Sequence, residues 1–363
     1  MTSHGPRPGP TNSLVDVPGL RVGHHERSGD GWMSGTTVVL VGEDGATAGV
    51  DVRGGAPATR ETDLLDPLNV VERVHALTLS GGSAFGLAAA DGVMARLEAR
   101  GIGVKVATPP RVGAAASSAP PAATVPIVPT AAIFDLGRGG DLSKRPDPGF
   151  GAAAFDAAED AGPGDVPGMG AVGGGAGAVA GGLKGAVGSA SAVLGDGATV
   201  AALVVVNSAG STLDPATGQL YGARFGLGEE FAQLRAPTPQ EVAAHRSAVG
   251  SELTTLNTSI AVVATDARLS KAQCTKLAGI GHDGFARAIR PVHTMVDGDT
   301  VFAVATGGRP EPEPVELHHL LTAAADCVSR AVAHGMLAAT SVTTEVGIWD
   351  SYRDRFPSAL ADG

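Results

Sequence analysis

The chain has 363 residues, 43% hydrophobic and 17% charged, with 26 Lys+Arg against 37 Asp+Glu and a net charge of −11 at pH 7. The apolar share is ample for a buried core, which excludes a disordered low-complexity chain. No apolar run approaches the ~18 residues of a membrane helix, and Lys and Arg are scattered singly, so neither membrane nor nucleic acid is an expected partner. Gly stands out at 53 residues, about twice its usual frequency, which predicts backbone packed on backbone.

Residues 1–14 are rich in Pro, Gly and Ser and are expected to be disordered or strapped over the surface. They contain no apolar stretch of the secretory type, and a cytoplasmic location is expected. Apolar runs at 37–41, 47–52 and 75–79 predict strands, and residues 83–100 have helical spacing with Phe85, Ala89, Val93 and Leu97 on one face. Residues 140–170, full of Asp, Pro and Gly, read as a long surface connection. A Gly/Ala run at 173–182 ends at Lys184, and strands are predicted at 189–194 and 198–206. A polar segment at 235–256 reads as irregular, and regular structure resumes with an abrupt apolar strand at 258. A helix at 270–289, a strand at 300–305 and a long helix from 315 to about 339 follow. Cys274 and Cys327 both fall in helices and read as buried thiols rather than a disulfide.

Three tempting motifs fail on context. Gly175-Ala176-Gly177-Ala178-Val179-Ala180 matches G-x-G-x-x-A but lacks the hydrophobic strand a dinucleotide fingerprint needs before it. Lys184 is followed by Gly185 rather than by the Ser or Thr of a phosphate loop. Ser83 lacks the second Gly of a nucleophile elbow and is explained as a helix N-cap. The paired His24-His25 and His318-His319 point apart on any regular element, so no metal and no organic cofactor are expected.

The informative junction is Asn257-Thr258. A polar segment ends there and a buried strand begins with a hydroxyl residue. Attack of the Thr258 hydroxyl on the preceding carbonyl would turn the peptide into an ester, and hydrolysis would leave Thr258 as an N-terminus whose amine, with a pKa of about 8, serves its own hydroxyl as base. Asp297 and Asp299 lie two residues apart before the next strand, and a turn at Asp297-Gly298 does not require Asp299. Lys184 is isolated among apolar residues and could orient a carboxylate or the nucleophile. Asn207 ends an apolar strand, where its amide could face an oxyanion.

The block Asn257-Thr258-Ser259-Ile260-Ala261-Val262-Val263-Ala264-Thr265-Asp266, with Asp297-Gly298-Asp299-Thr300, resembles the P1 family of peptidases. This group takes in the L-aminopeptidase/D-esterase, the β-peptidyl aminopeptidases and the 6-aminohexanoate (nylon) oligomer hydrolases. Gly49-Val50-Asp51-Val52-Arg53-Gly54-Gly55 and Leu79-Ser80-Gly81-Gly82-Ser83-Ala84-Phe85-Gly86 are similar to it as well. The resemblance implies a mixed α/β fold, a four-layer αββα sandwich of the N-terminal-nucleophile type shared with ornithine acetyltransferases. It also implies self-cleavage between Asn257 and Thr258 within one domain, giving a larger chain (15–257) and a smaller one (258–363) that stay associated, in a homo-oligomer of four or more copies. Carried over residue by residue, Thr258 is the nucleophile, Asn207 the oxyanion donor, and Lys184, Asp297 and Asp299 the support around it. Phe134 stands where several members have a Tyr, which removes one hydroxyl donor. The expected activity is hydrolysis of short peptides or ω-amino-acid amides through an acyl-enzyme. An acyltransferase of the ornithine acetyltransferase kind and a non-catalytic binding protein are the alternatives.

Overall fold

Residues 199–206, 260–265 and 300–305 are apolar but for one terminal threonine each, a pattern strands show when both faces are covered. The computed structural model, which describes residues 5–106, 123–248 and 256–360, has that arrangement. In chain order the strands are β1 (Arg21–Gly29), β2 (Trp32–Leu40), β3 (Thr47–Val52), β4 (Thr59–Arg60) and β5 (Ala76–Ser80), followed by helix α1 (Ala89–Ala99). Next come β6 (Val104–Val106), β7 (Ala123–Val125), β8 (Thr130–Ala132) and helix α2 (Pro148–Asp160), then β9 (Val179–Ala180), β10 (Leu183–Lys184), β11 (Ala186–Val193) and β12 (Thr199–Val206). Helix α3 (Pro239–Ala248), β13 (Ile260–Thr265), α4 (Lys271–Ala288), β14 (Thr300–Ala305), α5 (Pro314–Ala338), β15 (Val342–Thr344), β16 (Gly347–Trp349) and α6 (Tyr352–Arg355) complete it.

Two five-stranded sheets form the middle layers, ordered β1-β2-β5-β8-β4 and β11-β12-β13-β14-β3. Side-chain alternation assigns each strand's two faces. In β12, Val200, Ala202, Val204 and Val206 face the α4/α5 layer, while Ala201, Leu203 and Val205 face the other sheet. Val301 and Ala303 of β14 likewise point to the helices, and Phe302 and Val304 to the sheet interface. The first sheet divides the same way: Val39 and Leu77 point inward, and Val38 and Ala76 meet Ala154, Phe155 and Ala158 of α2 and Val93 of α1. Three apolar clusters therefore separate four layers, α1/α2, sheet, sheet and α4/α5, the αββα sandwich the resemblance implied. The Gly/Ala run is part of the packing: a Cβ on Gly175 would lie 2.4 Å from the Val187 nitrogen.

Three expectations are corrected, and one left open is decided. Disorder does not extend to residues 5–14: Arg7 and Val193 exchange backbone hydrogen bonds of 3.1 and 2.8 Å, and Gly9 N–H donates to Ser191 Oγ at 3.1 Å, so this segment is a strap along β11. Residues 140–170 contain α2, capped by Asp147, which accepts from the Phe150 N–H, with Pro148 in the first turn. Ser83 does not cap: Gly82 holds the cap position, Ser83 has φ of +52°, and residues 83–88 form a 3-10 turn before α1, leaving Phe85 exposed. The polar segment at 235–256 contains α3, and its residues 249–255 lie outside the described part. The two cysteines are free and buried in α4 and α5, and burial pushes both thiols up to about 12.

Candidate active site

β13 and β14 run parallel, Ile260 beside Thr300, so the residues entering both strands meet at one edge of the sheet. Thr258 lies there, 3% exposed. Its N–H donates to the Asn207 carbonyl at 2.7 Å, and its Oγ1–H donates to the carbonyl oxygen of Asn257 at 2.5 Å. That same oxygen accepts from the Gly298 N–H at 3.0 Å. The two carbonyl contacts depend on Gly at 298, because a Cβ there would sit 2.7 Å from Thr258 Oγ1 and 2.5 Å from the Ala56 carbonyl oxygen.

Asp299 and Asp297 are both 1% exposed and each accepts three hydrogen bonds, as buried carboxylates require. Asp299 takes the Ser259 N–H at 2.7 Å, and the His293 N–H and Nδ1 at 3.1 and 2.8 Å. It thereby fixes the residue after Thr258. Asp297 takes the Thr294 N–H and Oγ1 at 3.1 and 2.7 Å and the Ala209 N–H at 3.2 Å, tying the β14 entry to the segment after β12. The His293 ring packs edge-on against His282, centroids 4.6 Å apart. Burial lowers the His282 pKa to about 4.

Asn207, fully buried at the end of β12, accepts at Oδ1 from Arg138 Nη1 (2.5 Å) and the Val179 N–H (3.0 Å), and its Nδ2 donates to the Phe134 carbonyl at 3.3 Å. Lys184 is also fully buried, and its Nζ donates to the carbonyls of Gly175, Ala178 and Gly185 at 2.9, 3.0 and 2.6 Å. No hydrogen bond among the described residues joins it to Thr258, Asp297 or Asp299. It secures the Gly/Ala loop, whose Gly177 carbonyl and Val179 N–H in turn meet Arg138 and Asn207. Desolvation, and secondarily Arg138, pulls the Lys184 pKa down to about 7, and Asp135 opposes that shift.

Sequence reasoning missed Arg138. It is 9% exposed and reaches both sides of the junction, with Nη2 donating to Asn257 Oδ1 at 3.1 Å and Nη1 to Asn207. Burial lowers its pKa to about 10. Asp135 beside it accepts from Ser34 Oγ at 2.8 Å and the Gly82 N–H at 2.6 Å, and burial raises its pKa. The available signal was a lone cation among glycines in Leu136-Gly137-Arg138-Gly139-Gly140. Gly298 lay inside the Asp297-Gly298-Asp299 segment but carried no distinguishing pattern of its own, and His293 carried none either.

A threonine hydroxyl on the carbonyl of its own preceding residue, with an N–H donor on that oxygen and buried carboxylates fixing the strand entries, is suited to acyl transfer. The layers define an aminopeptidase-type N-terminal-nucleophile hydrolase fold. The L-aminopeptidase D-Ala-esterase/amidase from Ochrobactrum anthropi, a variant of that fold, aligns with a TM-score of 0.70 at 22% identity over 99% of this chain and 97% of its own. A Burkholderia sp. beta-aminopeptidase aligns at 0.69 and 23% identity, covering 100% of this chain and 98% of its own. The chain belongs to peptidase family S58, whose model matches residues 12–348. It is a hydrolase of peptide or amide bonds. An uncharacterized aminopeptidase of Mycobacterium bovis is 49% identical over 96% of this chain and 99% of that relative. A 6-aminohexanoate-oligomer endohydrolase of Kocuria sp. is 31% identical over 80% of this chain and 74% of its own. Among the described residues no helix is long and apolar enough to cross a membrane.

Proposed function

We propose that this protein activates itself by cleaving the Asn257–Thr258 bond and then hydrolyses short peptides or related amides with Thr258 as the nucleophile. The observation that carries the reading is the pair of contacts on the Asn257 carbonyl oxygen, Thr258 Oγ1 at 2.5 Å and the Gly298 N–H at 3.0 Å. Oγ1 adds to the carbonyl carbon, and Gly298 stabilises the oxygen as it gains charge. The C–N bond breaks, the hydroxyl proton ends on the freed nitrogen, and water hydrolyses the resulting ester to the Asn257 carboxylate and a free Thr258 hydroxyl.

In the mature enzyme the Thr258 amine, with a pKa of about 8, takes the hydroxyl proton and returns it to the leaving nitrogen of the substrate. Water then releases the acid from the acyl-enzyme. Asn207 is the side-chain oxyanion donor: Arg138 and Val179 occupy its Oδ1 and orient Nδ2 as the donating end. Asp299 and Asp297 hold the strand entries, and Lys184 holds the loop behind Asn207. The mycobacterial relative named as an aminopeptidase, at 49% identity, favours short peptides over 6-aminohexanoate oligomers as substrates. The two chains remain associated. Assembly into a homo-oligomer draws support from the exposed Val104, Val106, Val346 and Ile348, and a cytoplasmic location from two free buried thiols.

Denaturing mass spectrometry tests the first step: the wild-type chain is expected as fragments 1–257 and 258–363, and Thr258→Ala as one intact chain. An intact wild-type chain after long incubation, or a cleaved Thr258→Ala, refutes it. Amino-acid p-nitroanilides and 6-aminohexanoate oligomers test the second step, and turnover of neither by a processed enzyme overturns the hydrolytic reading.

A further inference from the structure

Asn257 is held through three groups. Its N–H donates to the Val296 carbonyl at 3.0 Å, its own carbonyl oxygen accepts from Gly298 at 3.0 Å, and its side-chain Oδ1 accepts from Arg138 Nη2 at 3.1 Å. Arg138 is buried, and its Nη1 is committed to Gly177 and Asn207. The inference rests on Thr258 as nucleophile. The ester formed in self-cleavage joins the Asn257 acyl carbon to Thr258 Oγ1, and a substrate's acyl-enzyme joins its acyl carbon to the same oxygen. The two esters differ only in the acyl group.

We propose that Asn257 is the template for the substrate's acyl residue and that Arg138 reads that residue's side chain. The preferred substrate is a peptide or amide whose N-terminal residue carries a hydrogen-bond acceptor at the reach of asparagine, a carboxamide or a carboxylate. Its α-amine takes the Val296 carbonyl in place of the Asn257 N–H, and its scissile carbonyl takes the Gly298 N–H. Once the self-cleavage ester is hydrolysed, Asn257 is a chain end no longer tethered to Thr258, and an acyl residue that enters must replace its carboxamide at Arg138. An asparaginyl or aspartyl side chain does so. A leucyl side chain of similar size leaves a buried guanidinium N–H without an acceptor, a costly state for a polar group out of water. A site built to hydrogen-bond one side chain rejects the isostere that cannot.

The test has two arms. In the precursor, time courses of self-cleavage by mass spectrometry compare Asn257→Asp with Asn257→Leu, in chains with Arg138 and with Arg138→Met. The Leu variant is expected to process about tenfold more slowly than the Asp variant when Arg138 is present, and the gap to close when it is Met. In the processed wild type, kcat/KM for L-asparaginyl and L-aspartyl p-nitroanilides is expected to exceed that for L-leucyl p-nitroanilide by about tenfold or more, mainly through KM. The ratio of the first two separates carboxamide from carboxylate. If Arg138→Met fails to fold, the Asn257 pair and the wild-type substrate ratio decide without it. Equal processing of the Asp and Leu variants, or a leucyl substrate turned over as well as the others by a processed enzyme, overturns the proposal and leaves the nucleophile reading standing. A wild-type chain that neither cleaves itself nor turns over any anilide overturns both.

Discussion

Lys184 shows how one residue can carry charge, burial and position together. With a pKa drawn from 10.5 to about 7 by burial, the folded protein binds fewer protons at this site than the unfolded chain between those two values. Stability contributed by this group therefore rises as pH rises through that window, and is lowest below about pH 7, where the amine is charged in both states. Urea midpoints measured at pH 7, 8.5 and 10 are expected to climb in the wild type relative to Lys184→Met, and parallel profiles would show that the amine does not titrate there. The positions of Thr258, Asn207, Asp297 and Asp299 were legible because each marks the end or entry of an apolar strand, while the roles proposed for them came from the resemblance. Arg138 was not, because its significance lies in partners 69 and 119 residues away along the chain. A lone arginine between glycines looks like surface until those partners are brought to it.

At the scale of elements, legibility followed the evenness of burial. β12, β13 and β14 are apolar on both faces and stand out from sequence, whereas β1 is mostly half-buried or exposed from His24 to Gly29 and carries His24, His25, Glu26 and Arg27, which hide it. Helix α2 was obscured by Pro148, Gly149 and Gly151, all poor helix formers. Yet Phe150, Ala154, Phe155 and Ala158 recur at helical spacing on its buried face, and Asp147-Pro148 is a helix-start signal. The cap matters more than usual where propensity is low. Asp147→Ala is expected to lower unfolding stability by about 0.5–2 kcal/mol, measured by chemical denaturation. No change would mean that packing against α1 and β1 alone holds the helix.

For the whole molecule, the proposed cut divides the chain but not the sheet. β13 and β14 belong to the smaller fragment, and they sit between β12 and β3 of the larger one, paired to both. Thr258, Asp297 and Asp299 then come from one fragment, and Asn207, Lys184 and Arg138 from the other. Native size exclusion of the processed protein is expected to show both fragments in one peak that resolves only in denaturant. Separation under native conditions would refute this interlocking.

The pairing of Phe302 with Val50 also sets an order in time. β3 leaves the ribosome early, but its neighbour β14 is made only after most of the chain, and Asp297, Gly298 and Asp299 emerge immediately before β14. Translation thus delivers Thr258 some forty residues ahead of the groups that hold the Asn257 carbonyl and the Ser259 N–H. Under the proposed reading a nascent chain cannot cut itself while synthesis is still short of β14, so the hydrolase is born inert and becomes competent only when the central sheet closes.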